Sequence, residues 1–195
     1  MRMKSLILSG LLAALAGPAL AATDWHADLG AEAQQTPVRV DEVRLGAELA
    51  EHVEDIGARD LDRLLTELRE DVEARLAERG LLAEPGEPAA ELDLVLVEAT
   101  PNRPTFAQLG GRGEWGWDRP GVRQPLSRHL SLASFGIGKV KLEGVFTGAD
   151  GAPLGEVTYR YEESDIYQAQ FAATWTDVHR GIDMFANRLA RTLAD

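Results

Sequence analysis

Two alternating runs joined by an Asp-Gly turn constrain this chain more than any other feature. Across residues 139–146, Val140, Leu142 and Phe146 alternate with Lys139, Lys141 and Glu143. Across 154–161, Val157, Tyr159 and Tyr161 alternate with Glu156, Thr158 and Arg160. Asp150-Gly151 lies between them. A period of two on both sides of such a turn predicts a β-hairpin with one buried face and one wet face. That buried face needs a covering layer.

The helices to supply it are legible on either side. Leu61, Leu65, Leu68, Val72 and Leu76 recur at three- and four-residue steps behind Asp60, a helix-capping residue. Arg63 with Glu67, and Asp71 with Arg75, add exposed pairs four apart. Gly80 stands where a left-handed terminator belongs, and Leu81 can fold back on Leu76. Near the C-terminus, Trp175, Val178, Ile182, Phe185, Leu189 and Leu193 form a second stripe, with Thr174 expected as cap and Asp177 in the first turn. Gly181 inside that helix costs roughly 1 kcal/mol against alanine, and such a glycine usually permits close approach to another element.

Residues 92–99 read LDLVLVEA, apolar on both faces, which belongs to a strand inside a sheet. A shorter strand is expected near 37–43, from Val38 and Val40 against Arg39 and Asp41, followed by a helical spacing of Leu45, Leu49, Val53 and Ile56. The order is β-α-β, a long loop, a β-hairpin and a closing helix. A right-handed crossover makes the first two strands parallel. The expected fold is a two-layer α/β sandwich, with a mixed sheet of about four strands and two main helices on one face.

The N-terminus reads as a secretory leader over residues 1–21. Arg2 and Lys4 precede an apolar run from Leu6 to Leu15, and Ala19-Leu20-Ala21 closes it with the small residues a signal peptidase reads. The apolar run is shorter than the roughly 20 residues that span a bilayer. Cleavage after Ala21 leaves about 174 of the 195 residues, enough for one domain to fold on its own core. There is no cysteine, so no disulfide and no lipid attachment site. The expected place of work is the periplasm or the medium. Residues 22–36 are small and polar apart from Trp25 and are expected to be a flexible arm. Residues 37–195 then form a single domain.

Loss of Arg2 and Lys4 with the leader takes the formal net charge from −12 to −14. A body this acidic repels phosphate and is not a general nucleic-acid binder. No transmembrane segment is expected once the leader is gone.

Against that background the long loop, 100–137, stands out. It holds Phe106, Trp115, Trp117 and Phe135, and Arg103, Arg112, Arg119, Arg123 and Arg128 against only Glu114 and Asp118. Loops of this length inside a compact domain are usually functional or disordered. Trp115 and Trp117 can stack a sugar or an apolar ligand, and planar guanidinium groups can hold carboxylate or phosphate. The competing reading has the arginines pairing with acidic helix faces while the tryptophans pin the loop to the domain.

Other chemistry is thinly supported. Gly110-Gly111-Arg112-Gly113 lacks the Gly-Lys-Ser/Thr ending of a phosphate loop, and Gly136-Ile137-Gly138 lacks the third glycine of a dinucleotide site. Ser127, Ser131 and Ser134 flank His129 outside any Gly-x-Ser-x-Gly setting. The histidines are scattered. Glu48 with His52, and His179 with Asp183, read as surface pairs, with no third ligand for a metal. No cofactor motif is found.

Ser134-Phe135-Gly136-Ile137-Gly138 leading into the 140–146 run, the Asp-Gly turn and the closing helix around Trp175 resemble bacterial envelope proteins classed as domain of unknown function 3313. The likeness covers roughly residues 91–193. It implies an exported α/β domain with no established activity and transfers no catalytic residue. Many such proteins carry a lipidated cysteine that this chain lacks.

The expected function is that of a non-catalytic binding or assembly module of the envelope, meeting a protein or glycan partner through Arg103, Arg112, Trp115, Trp117 and Arg119. The alternatives are a hydrolase using His129 and a nearby serine, and a structural homo-oligomer built by pairing an exposed sheet edge.

Overall fold

A computed structural model describes residues 22–34, 36–103, 105, 138–163 and 173–195. The alternating runs form strands β4 (Lys139–Thr147) and β5 (Pro153–Glu162), antiparallel, with Leu142 opposite Tyr159. Val140, Leu142, Phe146, Val157, Tyr159 and Tyr161 are all buried on one face. The doubly apolar segment is β3 (Ala90–Thr100), paired antiparallel to β4 and parallel to β2 (Val38–Leu45). Its interior position explains why it is apolar on both faces.

The expected helix after β2 is broken in two, α1 (Ala47–Glu51) and α2 (Val53–Ile56), with His52 at the break. Helix α3 (Ala58–Glu78) buries Leu61, Leu64, Leu68, Val72 and Leu76. Leu64 takes the place expected of Leu65, which is only partly buried. The helix starts after Gly57, and Asp60 lies in its first turn instead of capping it. Gly80 takes the left-handed conformation, φ 68°, and Leu81 N–H returns to Leu76 O at 2.9 Å. Helix α4 (Thr176–Ala194) buries Val178, Ile182, Phe185, Leu189 and Leu193, with Trp175 buried at its start.

Both long helices lie on one face of the sheet, so the fold is a two-layer α/β sandwich with a mixed sheet. Gly181 sets how closely α4 approaches. A Cβ there would stand 2.3 Å from Val140 Cγ1 and 3.3 Å from Tyr161 Cβ.

One expectation is overturned. The arm expected over 22–36 gives way to a strand: Ala22–Leu29 form β1, antiparallel to β5 at the sheet edge, and Ala33 beyond it is buried. The sheet therefore has five strands, ordered β1-β5-β4-β3-β2. Trp25 supplies the reason. Its ring lies 6.2 Å from that of Tyr159 and 6.0 Å from Phe185, and the Arg188 guanidinium sits over it at 5.3 Å. That packing secures a segment whose own composition is poor in strand formers.

Candidate functional site

The ends of the long loop meet at one end of the sheet, where β3 finishes, β4 begins and β5 runs toward α4. Four polar residues are buried there: Asn102 at 2% exposure, Thr105 at 1%, Asp177 at 3% and Glu163 at 6%. Buried polar groups must find partners or destabilise the fold, and Asn102, Asp177 and Glu163 are joined in one network through Gly138.

Asp177 is its centre. One carboxylate oxygen, Oδ2, accepts from the Asn102 side-chain amide and from Gly138 N–H at 3.2 Å. Asp177 N–H donates to Asn102 Oδ1 at 3.1 Å, and Asn102 N–H donates to Thr174 O at 2.7 Å. A carboxylate in the first turn of a helix also meets the positive end of the helix dipole. The N-cap residue of α4, Trp175, makes no side-chain cap. Asn102 serves an orphan helix N–H instead, from 75 residues away. Thr174, expected as the cap, lends only its carbonyl, to Asn102. Gly138 is required by the packing: a Cβ there would stand 2.5 Å from Asp177 Cβ and 2.9 Å from Asn102 Oδ1.

The network continues outward. Glu163 N–H donates to Gly138 O at 3.2 Å. Tyr161 Oη donates to Glu163 Oε2 at 3.0 Å, and Arg180 Nη1 donates to the same oxygen at 3.0 Å. Burial pushes the Tyr161 hydroxyl above the usual phenol range, with Arg180 pulling the other way and Glu163 adding to the rise. The Arg180 guanidinium is held further toward its charged form, first by its hydrogen bond to Tyr161. Asn102 and Gly138, at the two ends of the loop, are thus held by one carboxylate, and Glu163 just after β5 and Thr174 just before α4 are bonded to the same pair.

Of the expected contact residues, Arg103 is exposed directly beside Asn102. Arg112, Trp115, Trp117 and Arg119 lie outside the described residues, as do His129 and the serines around it. Sequence reading missed the clamp. Gly138 stands out in the sequence only as part of a rejected dinucleotide pattern and of the Ser134–Gly138 motif, and nothing local ties Asn102 to Asp177.

One histidine takes another partner than expected. His179 Nδ1 lies 2.6 Å from Glu67 Oε2, across α3 and α4, while Asp183 takes Arg75 at 2.9 Å. His52 Nδ1 stands 3.6 Å from Asp55 Oδ2. Burial, then the neighbouring Glu67 and Asp183 charges, raises the Asp71 carboxyl above the usual carboxylate range. An open groove of about 510 Å³ runs beside this seam, lined by Arg63, Thr66, Glu67, Glu70 and His179. Among the described residues no three His, Asp or Glu side chains converge as a metal ion would need.

Fold and site together define a two-layer α/β sandwich with a buried polar clamp at the root of its one long insertion. No protein-family model and no curated protein matches the sequence. Among solved structures, the chain is similar to a PelC variant dodecamer from Paraburkholderia phytofirmans, with 8% identity and a TM-score of 0.42 over 87% of this chain and 98% of that one. It is also similar to a PelC dodecamer of the same organism in another crystal form, with 9% identity and a TM-score of 0.38 over 85% and 96%. A minor lipoprotein from Acinetobacter baumannii aligns with 14% identity and a TM-score of 0.31 over 78% and 91%. Among the described residues no helix is long and apolar enough to cross a membrane.

Proposed function

We propose that this is an exported protein of the bacterial envelope, periplasmic or secreted, that works as a non-catalytic binding or assembly module. Its contact surface is the 103–135 loop, with Trp115, Trp117, Arg112 and Arg119 at the centre and Arg103 at the root. The observation that carries this reading is the Asp177 clamp, which holds Asn102 and Gly138 through one buried carboxylate. A rigid root limits the freedom a loop must lose when it meets a partner. Binding residues are disproportionately found on loops carried by such scaffolds. The loop's tryptophans and arginines suit a protein or glycan partner with apolar and anionic features.

The test is capture from an envelope extract, alongside binding to a panel of envelope glycans. Trp115→Ala combined with Trp117→Ala should leave thermal unfolding unchanged and abolish capture. Wild-type capture by that double variant would sink the reading.

A further inference from the structure

The two edges of the sheet are treated differently. On β2 the outer backbone is occupied. Val38 N–H donates to Leu81 O at 2.7 Å, and Ala83 N–H donates to Val38 O at 3.0 Å. Arg69 covers the next stretch, donating to Val40 O and Asp41 O at 2.8 Å each. On β1 every ladder partner belongs to β5. Among the described residues, no backbone or side-chain hydrogen bond reaches Thr23–Leu29 from the outer side. Eight residues of strand present an edge about 27 Å long at ordinary strand rise. Such an edge is a template for another strand.

The side chains on that edge say what kind of strand. Trp25, Ala27 and Leu29 pack against the core, while Asp24, His26 and Asp28 are exposed on the opposite face. Asp28 stands directly across from Glu156, with Asp93 in the same row beyond Val145, whereas Asp24 stands across from Arg160. Like charges opposite one another destabilise a ladder, and a cation brought alongside Asp28 relieves this. A second copy of the chain does not bring one. Its antiparallel register centred on His26 sets Asp24 against Asp28 twice, and the chain as a whole stands at −12.

We propose that the outer edge of β1 takes up a basic, extended peptide segment as a sixth strand. Lysine or arginine at alternate positions faces Asp24 and Asp28, and the apolar residues between them continue the Trp25, Ala27 and Leu29 face. Main-chain hydrogen bonds supply the attachment, and the acids select a basic partner.

The test uses an acetylated, amidated nine-residue peptide alternating lysine and valine, with the purified protein. Fluorescence anisotropy should show binding, and hydrogen exchange should show β1 amides slowing on addition. A peptide with glutamate for lysine should not bind. Neither should a lysine peptide N-methylated at every second amide, which keeps the charge but cannot extend the ladder. Asp24→Asn with Asp28→Asn should weaken binding at least about fivefold, as loss of two exposed charge pairs implies. The proposal fails if the lysine peptide does not bind, if the N-methylated peptide binds equally, or if the double variant binds unchanged. It also fails if β1 amides are already protected and light scattering shows a dimer without peptide, because a second copy then holds the edge.

Discussion

Gly138 packs so tightly beneath Asp177 that a methyl group on the glycine would stand 2.5 Å from the Asp177 Cβ. Real Cβ atoms do not approach that closely, so either the helix start or the loop end must shift. Gly138→Ala should therefore cost about 1–3 kcal/mol, the usual range for overpacking. Urea unfolding checks this, and an unchanged midpoint would show that the close approach is easily relieved.

Asp177 satisfies two donors that arrive from opposite ends of the loop. Truncation to alanine leaves the Asn102 amide and Gly138 N–H buried without their acceptor. Asp177→Ala is expected to cost about 2–3 kcal/mol. Combined with Asn102→Ala, the two losses should fall short of additivity by about 1 kcal/mol, since both remove one shared network. Strict additivity would argue that the two residues act separately.

Gly181→Ala sets two effects against each other. Alanine gains roughly 1 kcal/mol of helix propensity, but its Cβ meets Val140 Cγ1 at 2.3 Å. Overpacking of about 1–3 kcal/mol is the larger effect, so the variant should be less stable. In a Val140→Ala background the obstruction is gone, and the same change should become neutral or stabilising. Thermal melts of the four proteins in the cycle decide it.

Tyr159 carries a buried hydroxyl with no hydrogen-bond partner among the described residues. Burial, with the neighbouring Tyr161 adding to it and Arg188 opposing it, pushes its ionisation from 10.0 up to about 12. Tyr159→Phe should stabilise the protein by about 1 kcal/mol at neutral pH. The alkaline response has a definite sign. Below pH 10 both folded and unfolded chains keep the proton, and nothing is lost. Between about 10 and 12 the unfolded chain releases it while the folded chain holds it, so stability falls as pH rises. Tyr159→Phe should flatten that fall. An equally steep decline in the variant would assign it to other groups.

Periodicity carried the secondary structure wherever a segment's own residues decided its conformation. The β4–β5 hairpin, the interior place of β3, the parallel β2–β3 pair and the buried stripe of α4 were all readable. They are written in spacings of two, three and four residues, which act locally. The smaller departures are local contests between neighbours. Leu64 is buried where Leu65 was expected, and Gly57 starts α3 ahead of Asp60.

The larger departures are contacts between distant residues. Ala22–Leu29 carries a period-two alternation of Trp25, Ala27 and Leu29 against Asp24, His26 and Asp28, but with few strand formers; β5 and the Tyr159–Phe185 aromatic surface make it a strand. Asn102 and Asp177 each look like an ordinary turn or cap residue, and only the packing of α4 over the start of β4 joins them. The sequence by itself determined the α/β class, the helix faces and the hairpin, because each follows from the alternation of apolar and polar residues along a short stretch. Tertiary structure decided that the alternation at 24–29 becomes a fifth strand, and it alone decided the unequal sheet edges and the clamp at the loop root. Those depend on which backbone and side-chain groups are brought together and stripped of water, and no local spacing encodes that.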